Sequence, residues 1–262
     1  MNTLLDGLKL PESARWRDGR LWLANWGGGE ILAVTPGGER EVIANVPTTM
    51  PITFDWLPDG RLIIVQGPEA RLLNADLSVY ADLSPVAAFC NEVVTDGRGN
   101  AFVNGSHDLQ EPGVLAVVAP DGEVRQVAEG ILFGNGMAVT PDDKTLIVAE
   151  SYGSRLTAFD IGDDGSLSGR RVWANLGDDH PDGICLDAEG AVWYADVAGK
   201  YCVRVREGGE VLQKVEADRG CFSCTIGGED GRSLYVLAAE WHGWENPFGD
   251  GPTGQVQVEK LA

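Results

Sequence analysis

The sequence predicts an all-β protein folded as a six-bladed β-propeller. Six apolar runs recur at near-constant spacing, and a polar turn rich in Asp and Gly precedes nearly every one. The last unit stops one strand short, while an unpaired strand-like segment stands ahead of the first.

The runs are Leu21-Trp22-Leu23-Ala24, Leu62-Ile63-Ile64-Val65, Ala101-Phe102-Val103-Asn104, Leu146-Ile147-Val148-Ala149, Val192-Trp193-Tyr194-Ala195 and Leu234-Tyr235-Val236-Leu237. Their first residues are 41, 39, 45, 46 and 42 positions apart, the length of one four-stranded blade. Their shortness and their β-branched and aromatic content suit strands. The turns ahead of them include Arg17-Asp18-Gly19, Pro58-Asp59-Gly60, Asp96-Gly97, Pro141-Asp142-Asp143 and Glu229-Asp230-Gly231. A second hairpin follows in most units, as in Gly113–Val118, Asp121-Gly122 and Val124–Val127.

After Gln255–Val258 the chain ends, so Thr3–Leu8 is expected to supply the missing strand of the sixth blade. Closing the ring this way hides strand edges that otherwise invite aggregation. An open stack of β-repeats or a sandwich is the competing architecture, but neither explains a displaced terminal strand. The whole chain, 1–262, reads as one domain.

The 262 residues carry a net charge of −20. No basic run is present, so a nucleic-acid partner is not expected, because phosphate backbones are held by clustered Lys and Arg. No stretch approaches the length of a membrane span. Met1–Gly7 has no basic start and no apolar run of the kind a secretory signal needs. Five cysteines, an odd number, argue against a disulfide framework. A cytoplasmic monomer is the expectation.

Chemistry enters at one position of the repeat. Glu12, Asn91, Asn135 and Asp182 lie 9, 10, 11 and 10 residues ahead of the apolar run of their units. Alone, each reads as a turn residue or a solvated side chain. Together, in a closed ring, they converge on the axis. Two carboxylates meeting there resist burial without a countercharge, and carboxylate and amide oxygens are hard ligands that suit Ca²⁺, Mg²⁺ or Mn²⁺. The expected cofactor is therefore one divalent cation.

The same segments carry a family resemblance. Pro11-Glu12-Ser13-Ala14-Arg15-Trp16, Asn91-Glu92-Val93-Val94, Asn135–Asp142, Pro181–Gly190 and Cys221-Phe222-Ser223-Cys224 resemble the SMP-30/gluconolactonase family, known in animals as regucalcin, along essentially the whole chain. The resemblance implies a six-bladed propeller with a metal in its central tunnel. It matches Glu12, Asn135 and Asp182 to metal ligands, and Asn91 to an asparagine beside the metal that contacts substrate or a bound water. Many members are lactonases acting on sugar lactones, and Ca²⁺, Zn²⁺, Mn²⁺ and Fe²⁺ all occur among them; calcium is taken first here. One departure stands out. Sugar-lactone members often carry an Arg two residues before the asparagine, and here that residue is Phe89.

The implied function is hydrolysis of a small lactone by water attacking a metal-polarised carbonyl. Asp182 is the expected general base and Asn91 the group that positions carbonyl or water. Phe89, Thr53, Cys224 and His107 are expected to face substrate; His107 and His180 both fall in loops near the mouth, with equal claim to contact it. Trp26, Trp241 and Trp244 read more readily as packing between blades than as pocket wall. Two other readings share the scaffold: a promiscuous esterase or phosphotriesterase, and a non-catalytic propeller binding metal or metabolite.

Overall fold

A computed structural model describes residues 1–48 and 50–261. Strand β1 is Asn2–Leu8. The first blade is β2 (Pro11–Arg17), β3 (Arg20–Asn25), β4 (Glu30–Val34) and β5 (Arg40–Asn45); the second is β6 (Ile52–Trp56), β7 (Leu62–Gln66), β8 (Arg71–Asn74) and β9 (Val79–Asp82). The third is β10 (Phe89–Thr95), β11 (Ala101–Ser106), β12 (Gly113–Val118) and β13 (Val124–Ile131). The fourth is β14 (Gly134–Val139), β15 (Thr145–Glu150), β16 (Arg155–Ile161) and β17 (Leu167–Asn175). The fifth is β18 (Pro181–Leu186), β19 (Val192–Asp196), β20 (Tyr201–Val205) and β21 (Val211–Glu216). The sixth holds β22 (Gly220–Gly227), β23 (Ser233–Ala239) and β24 (Gly254–Lys260), and β1 pairs antiparallel with β24 to complete it.

The expected six-bladed ring, closed by the N-terminal strand, is the observed fold. Each apolar run is the second strand of its blade, buried on both faces between neighbouring blades. Outermost strands such as β5 and β21 are largely exposed. Burial thus falls from the second strand outward, and the core lies between blades. Among the described residues no helix is long and apolar enough to cross a membrane.

The innermost strands pack directly on one another around the axis. A Cβ on Gly136 would overlap the backbone nitrogen of Ile184, and one on Gly183 would lie 2.5 Å from Ser223 Oγ. Glycine is required at these two places because adjacent strands approach too closely for any side chain.

A buried ion cluster fastens the fourth blade. Glu150, fully buried, accepts from Leu132 N at 2.8 Å, Thr157 Oγ1 at 2.5 Å, and Arg155 Nε and NH2 at 3.1 and 3.0 Å. Arg170 NH2 adds a contact at 3.3 Å. Burial pushes the carboxyl up, but these donors outweigh it and hold the group below its ordinary value. A depressed carboxylate stabilises the fold above the unfolded-state pKa, and that contribution is lost as pH falls through the folded one. Glu150→Gln is expected to cost about 2 kcal/mol at pH 7, in the range for charge-assisted hydrogen bonds. The difference between wild type and variant should shrink below about pH 4.3. Urea unfolding at pH 7 and pH 3 measures both, and an equal difference at the two values would show that the charge is not what stabilises.

Candidate active site

Five of the six innermost strands carry a register irregularity near their starts: between Glu12 and Arg15, Cys90 and Val93, Gly134 and Met137, Pro181 and Ile184, and Cys221 and Ser223. A bulge re-aims the side chain beside it. Here the bulges turn Glu12, Asn91, Asn135 and Asp182 into one cavity of about 700 Å³ on the propeller axis. All six blades contribute to its wall. Its rim is built from the connections between second and third strands and from the segments that link blades.

The four oxygen-bearing side chains are in mutual reach. Asn91 Nδ2 lies 3.3 Å from Asn135 Oδ1 and 3.4 Å from Gly134 O. Asn135 Nδ2 lies 3.4 Å from Ser151 Oγ. Glu12 Oε2 accepts from Ser13 N at 2.9 Å. Burial pushes the Glu12 carboxyl well above its ordinary value, and Asp182 across the site pushes it further. Burial does the same to Asp182, with Asp196 and Glu92 adding to it against the Asn135 hydrogen bond. The guanidinium nearest in effect to Glu12 is Arg15, which is engaged 3.0 Å away with Glu92.

Two buried carboxylates therefore face one space with amides beside them, and among the described residues neither is in an ion pair, Arg15 being taken up by Glu92. That donor chemistry fits a hard divalent cation. The amides matter to the fit, since among the described residues no group of three His, Cys, Asp or Glu is placed to hold a metal. An amide flip exchanges oxygen for nitrogen without moving the side chain.

The remaining sequence candidates divide. Phe89 lines the cavity. Thr53 does not: β6 keeps a regular register, so its buried hydroxyl turns into the wall and donates to Glu92. The second blade instead presents Met50 and Pro51. Cys224 is likewise not on the cavity. The β22 irregularity brings Phe222 there, while Cys224 packs with Cys202, Cys221 and Trp193 between the fifth and sixth blades. Burial and neighbouring thiols hold the Cys202 thiol well above its ordinary value, which keeps it protonated and unreactive. His107 is exposed and off the cavity, between the lining residues Ser106 and Asp108. His180 lines the cavity instead, its Nδ1 2.9 Å from Ser151 O and its backbone N 2.7 Å from Asp196 Oδ2.

Sequence reasoning undervalued the aromatic wall. Trp26, Trp241 and Trp244 all line the cavity, and Phe133 and Tyr152, which carried no signal of their own, join them. The one available hint was the Trp241-x-x-Trp244 pair in the long connection 240–253 between β23 and β24.

Comparison with known proteins agrees with this architecture. The family profile described as SMP-30/Gluconolactonase/LRE-like region matches residues 10–240. Regucalcin of Xenopus laevis is 34% identical over 252 residues, covering 88% of this chain and 83% of that protein. The fold is shared with a gluconolactonase from Xanthomonas campestris, at TM-score 0.76 and 20% identity over 98% of this chain and 89% of the other. It is also shared with a calcium-binding protein, regucalcin, from Agrobacterium tumefaciens, at TM-score 0.77 and 19% identity over 98% and 92%. By the reach of the family profile and the identity to regucalcin, the chain belongs to the SMP-30/gluconolactonase/LRE-like family.

Proposed function

We propose that the protein is a hydrolase that opens a small lactone, using Glu12, Asn135 and Asp182 to hold one divalent cation and Asn91 and Asp182 to handle the reacting groups. The observation that carries this reading is the convergence of two buried carboxylates and two amides at one cavity on the axis. The family supports it, as do the calcium-binding regucalcin of Agrobacterium tumefaciens and the gluconolactonase of Xanthomonas campestris that share the fold. When bound, the cation supplies Lewis-acid polarisation of the ester carbonyl.

The chain's own residues do the rest. The Asn91 amide donates to the lactone carbonyl oxygen and fixes its direction. The Asp182 carboxylate takes the proton released as water adds to the carbonyl carbon. It returns that proton to the ring oxygen as the C–O bond breaks, leaving a hydroxy acid. Glu12 supplies the second negative charge that keeps the cation in place. Phe89 and Phe222 line the cavity from opposite blades, and apolar walls on both sides keep bulk water from the centre and strengthen each polar contact within it.

The test is a pH-indicator hydrolysis assay on chelator-treated protein, across sugar lactones, alkyl lactones and aryl esters. Chelation should abolish turnover, and one of Ca²⁺, Mn²⁺, Zn²⁺ or Fe²⁺ should restore it by about 10²-fold or more, as loss of several kcal/mol of carbonyl polarisation requires. No turnover on any lactone with any of these cations would overturn the proposal. Turnover of acyclic esters with lactones untouched would move it to the esterase reading.

A further inference from the structure

We infer that the substrate carries a neutral aromatic substituent, which the cavity seats against a continuous arc of aromatic side chains at its mouth. This rests on the hydrolase reading above and names the substrate class for that site. The arc runs Tyr152, Phe133, Trp244, Trp241, Phe222. Tyr152 stacks on Phe133 with centroids 4.5 Å apart and planes at 25°. Trp244 meets Phe133 edge-on at 6.1 Å and Trp241 at 5.2 Å, and Trp241 meets Phe222 at 5.8 Å.

The arc is rooted in the core at Phe222 and Trp241, and three features turn its other end toward a ligand. First, Tyr152 is 59% exposed and Trp244 56% exposed although each packs on another ring and lines the cavity. Large aromatic surface left open at the mouth of a cavity marks a binding surface. Second, Phe133 is held at φ +54°, a conformation costly for a bulky residue. That strained backbone is what puts its ring between Tyr152 and Trp244. Third, the 240–253 connection that carries both tryptophans is anchored to the sixth and the adjoining first blade, since Phe248 packs with Leu10 and Phe222. The arc is a fixed wall with an open face.

Size and charge narrow the class further. A cavity of about 700 Å³ matches pockets that enclose drug-sized ligands, well beyond an unsubstituted lactone ring. Asp108, Glu111 and Glu240 stand on its lining, and Lys200 is the one Lys or Arg there among the described residues. Negative potential disfavours anionic substituents. Phe89 leaves hydroxyl groups without a guanidinium partner on that side of the wall. A flat, neutral, apolar ring satisfies all of these; a polyol or a carboxylate does not.

The experiment uses lactams, the hydrolysis-resistant counterparts of lactones, so that binding is read apart from catalysis. The full-length protein, loaded with Ca²⁺, is titrated calorimetrically with a five-membered lactam, its phenyl-substituted form and a polyhydroxylated form. The phenyl compound should bind about ten-fold tighter than the parent, or about 1.4 kcal/mol, and the hydroxylated one no tighter than the parent. In Trp244→Ala and Tyr152→Ala, on connections from different blades, the phenyl advantage should fall to two-fold or less. Equal affinity for phenyl and parent, or tightest binding of the hydroxylated compound, overturns the inference. The two proposals fail separately. Phenyl preference without turnover of any lactone removes the hydrolase reading alone, and turnover without phenyl preference removes this one alone.

Discussion

Asp182→Asn is expected to lower kcat by about 10²–10⁴-fold at saturating cation, the usual contribution of a positioned general base. The expectation follows from placement. Asp182 sits at the β18 bulge, almost fully buried, with Gly183 directly after it so that β22 can approach. Its side chain lines the same cavity as Glu12, Asn91 and Asn135. Asparagine keeps the shape and one oxygen donor but cannot accept the proton that water gives up. The measurement pairs kcat with the cation content of the purified variant. Lost turnover with the cation retained assigns the proton transfer to Asp182. Turnover that returns when cation is raised makes Asp182 a ligand only, and unchanged turnover with cation bound removes it from the chemistry.

The architecture was legible because it is repeated. Six copies of one turn and one apolar run average out local ambiguity, and the surplus strand at Asn2–Leu8 belongs to the sixth blade because that blade has three strands of its own where the others have four. The positions of Glu12, Asn91, Asn135 and Asp182 were legible for the same reason, since a ring carries equivalent positions to one axis. Positions that depend on local register were not. Thr53 and Cys224 occupy the right strands, but whether a side chain faces the cavity or the wall turns on a single bulge residue. The bulge is absent from β6 and falls beside Phe222 in β22. Periodicity says nothing of loop paths, so His107 and His180 were indistinguishable until the connections were placed. The aromatic arc was hidden for a further reason. Its members come from three connections and from strand β22, and no stretch of sequence holds more than two of them.

Arg15→Met is expected to destabilise the fold by about 3–5 kcal/mol, the cost of leaving a buried charge without its partner. Arg15 lies at the far side of the β2 bulge from Glu12. Its NH2 reaches Glu92 Oε1 at 3.0 Å and Val93 O at 3.2 Å, and its NH1 reaches Ala14 O at 3.1 Å. Glu92 also accepts from Thr53 Oγ1 and from Val93 N at 2.9 Å. Asp55, whose Oδ2 accepts from Thr95 N at 2.8 Å, is pushed up by burial and held back by the charge of Arg15. One guanidinium thus serves two acids on the innermost strands of the second and third blades, directly beneath the cavity. Methionine keeps the volume of the stem and removes the charge. Denaturant unfolding of the single variant should show the full loss. Arg15→Met with Glu92→Gln should recover part of it, because the stranded charge is then gone. A cost under about 1 kcal/mol for the single variant, or a double variant less stable than the single, would mean that packing rather than charge joins these blades. The sign has a functional consequence. Glu92 adjoins Asn91 on β10 and adds negative potential at both Glu12 and Asp182. Arg15 offsets that potential at Glu12, so the residue that ties three blades together also moderates the negative charge felt at one of the two cavity carboxylates.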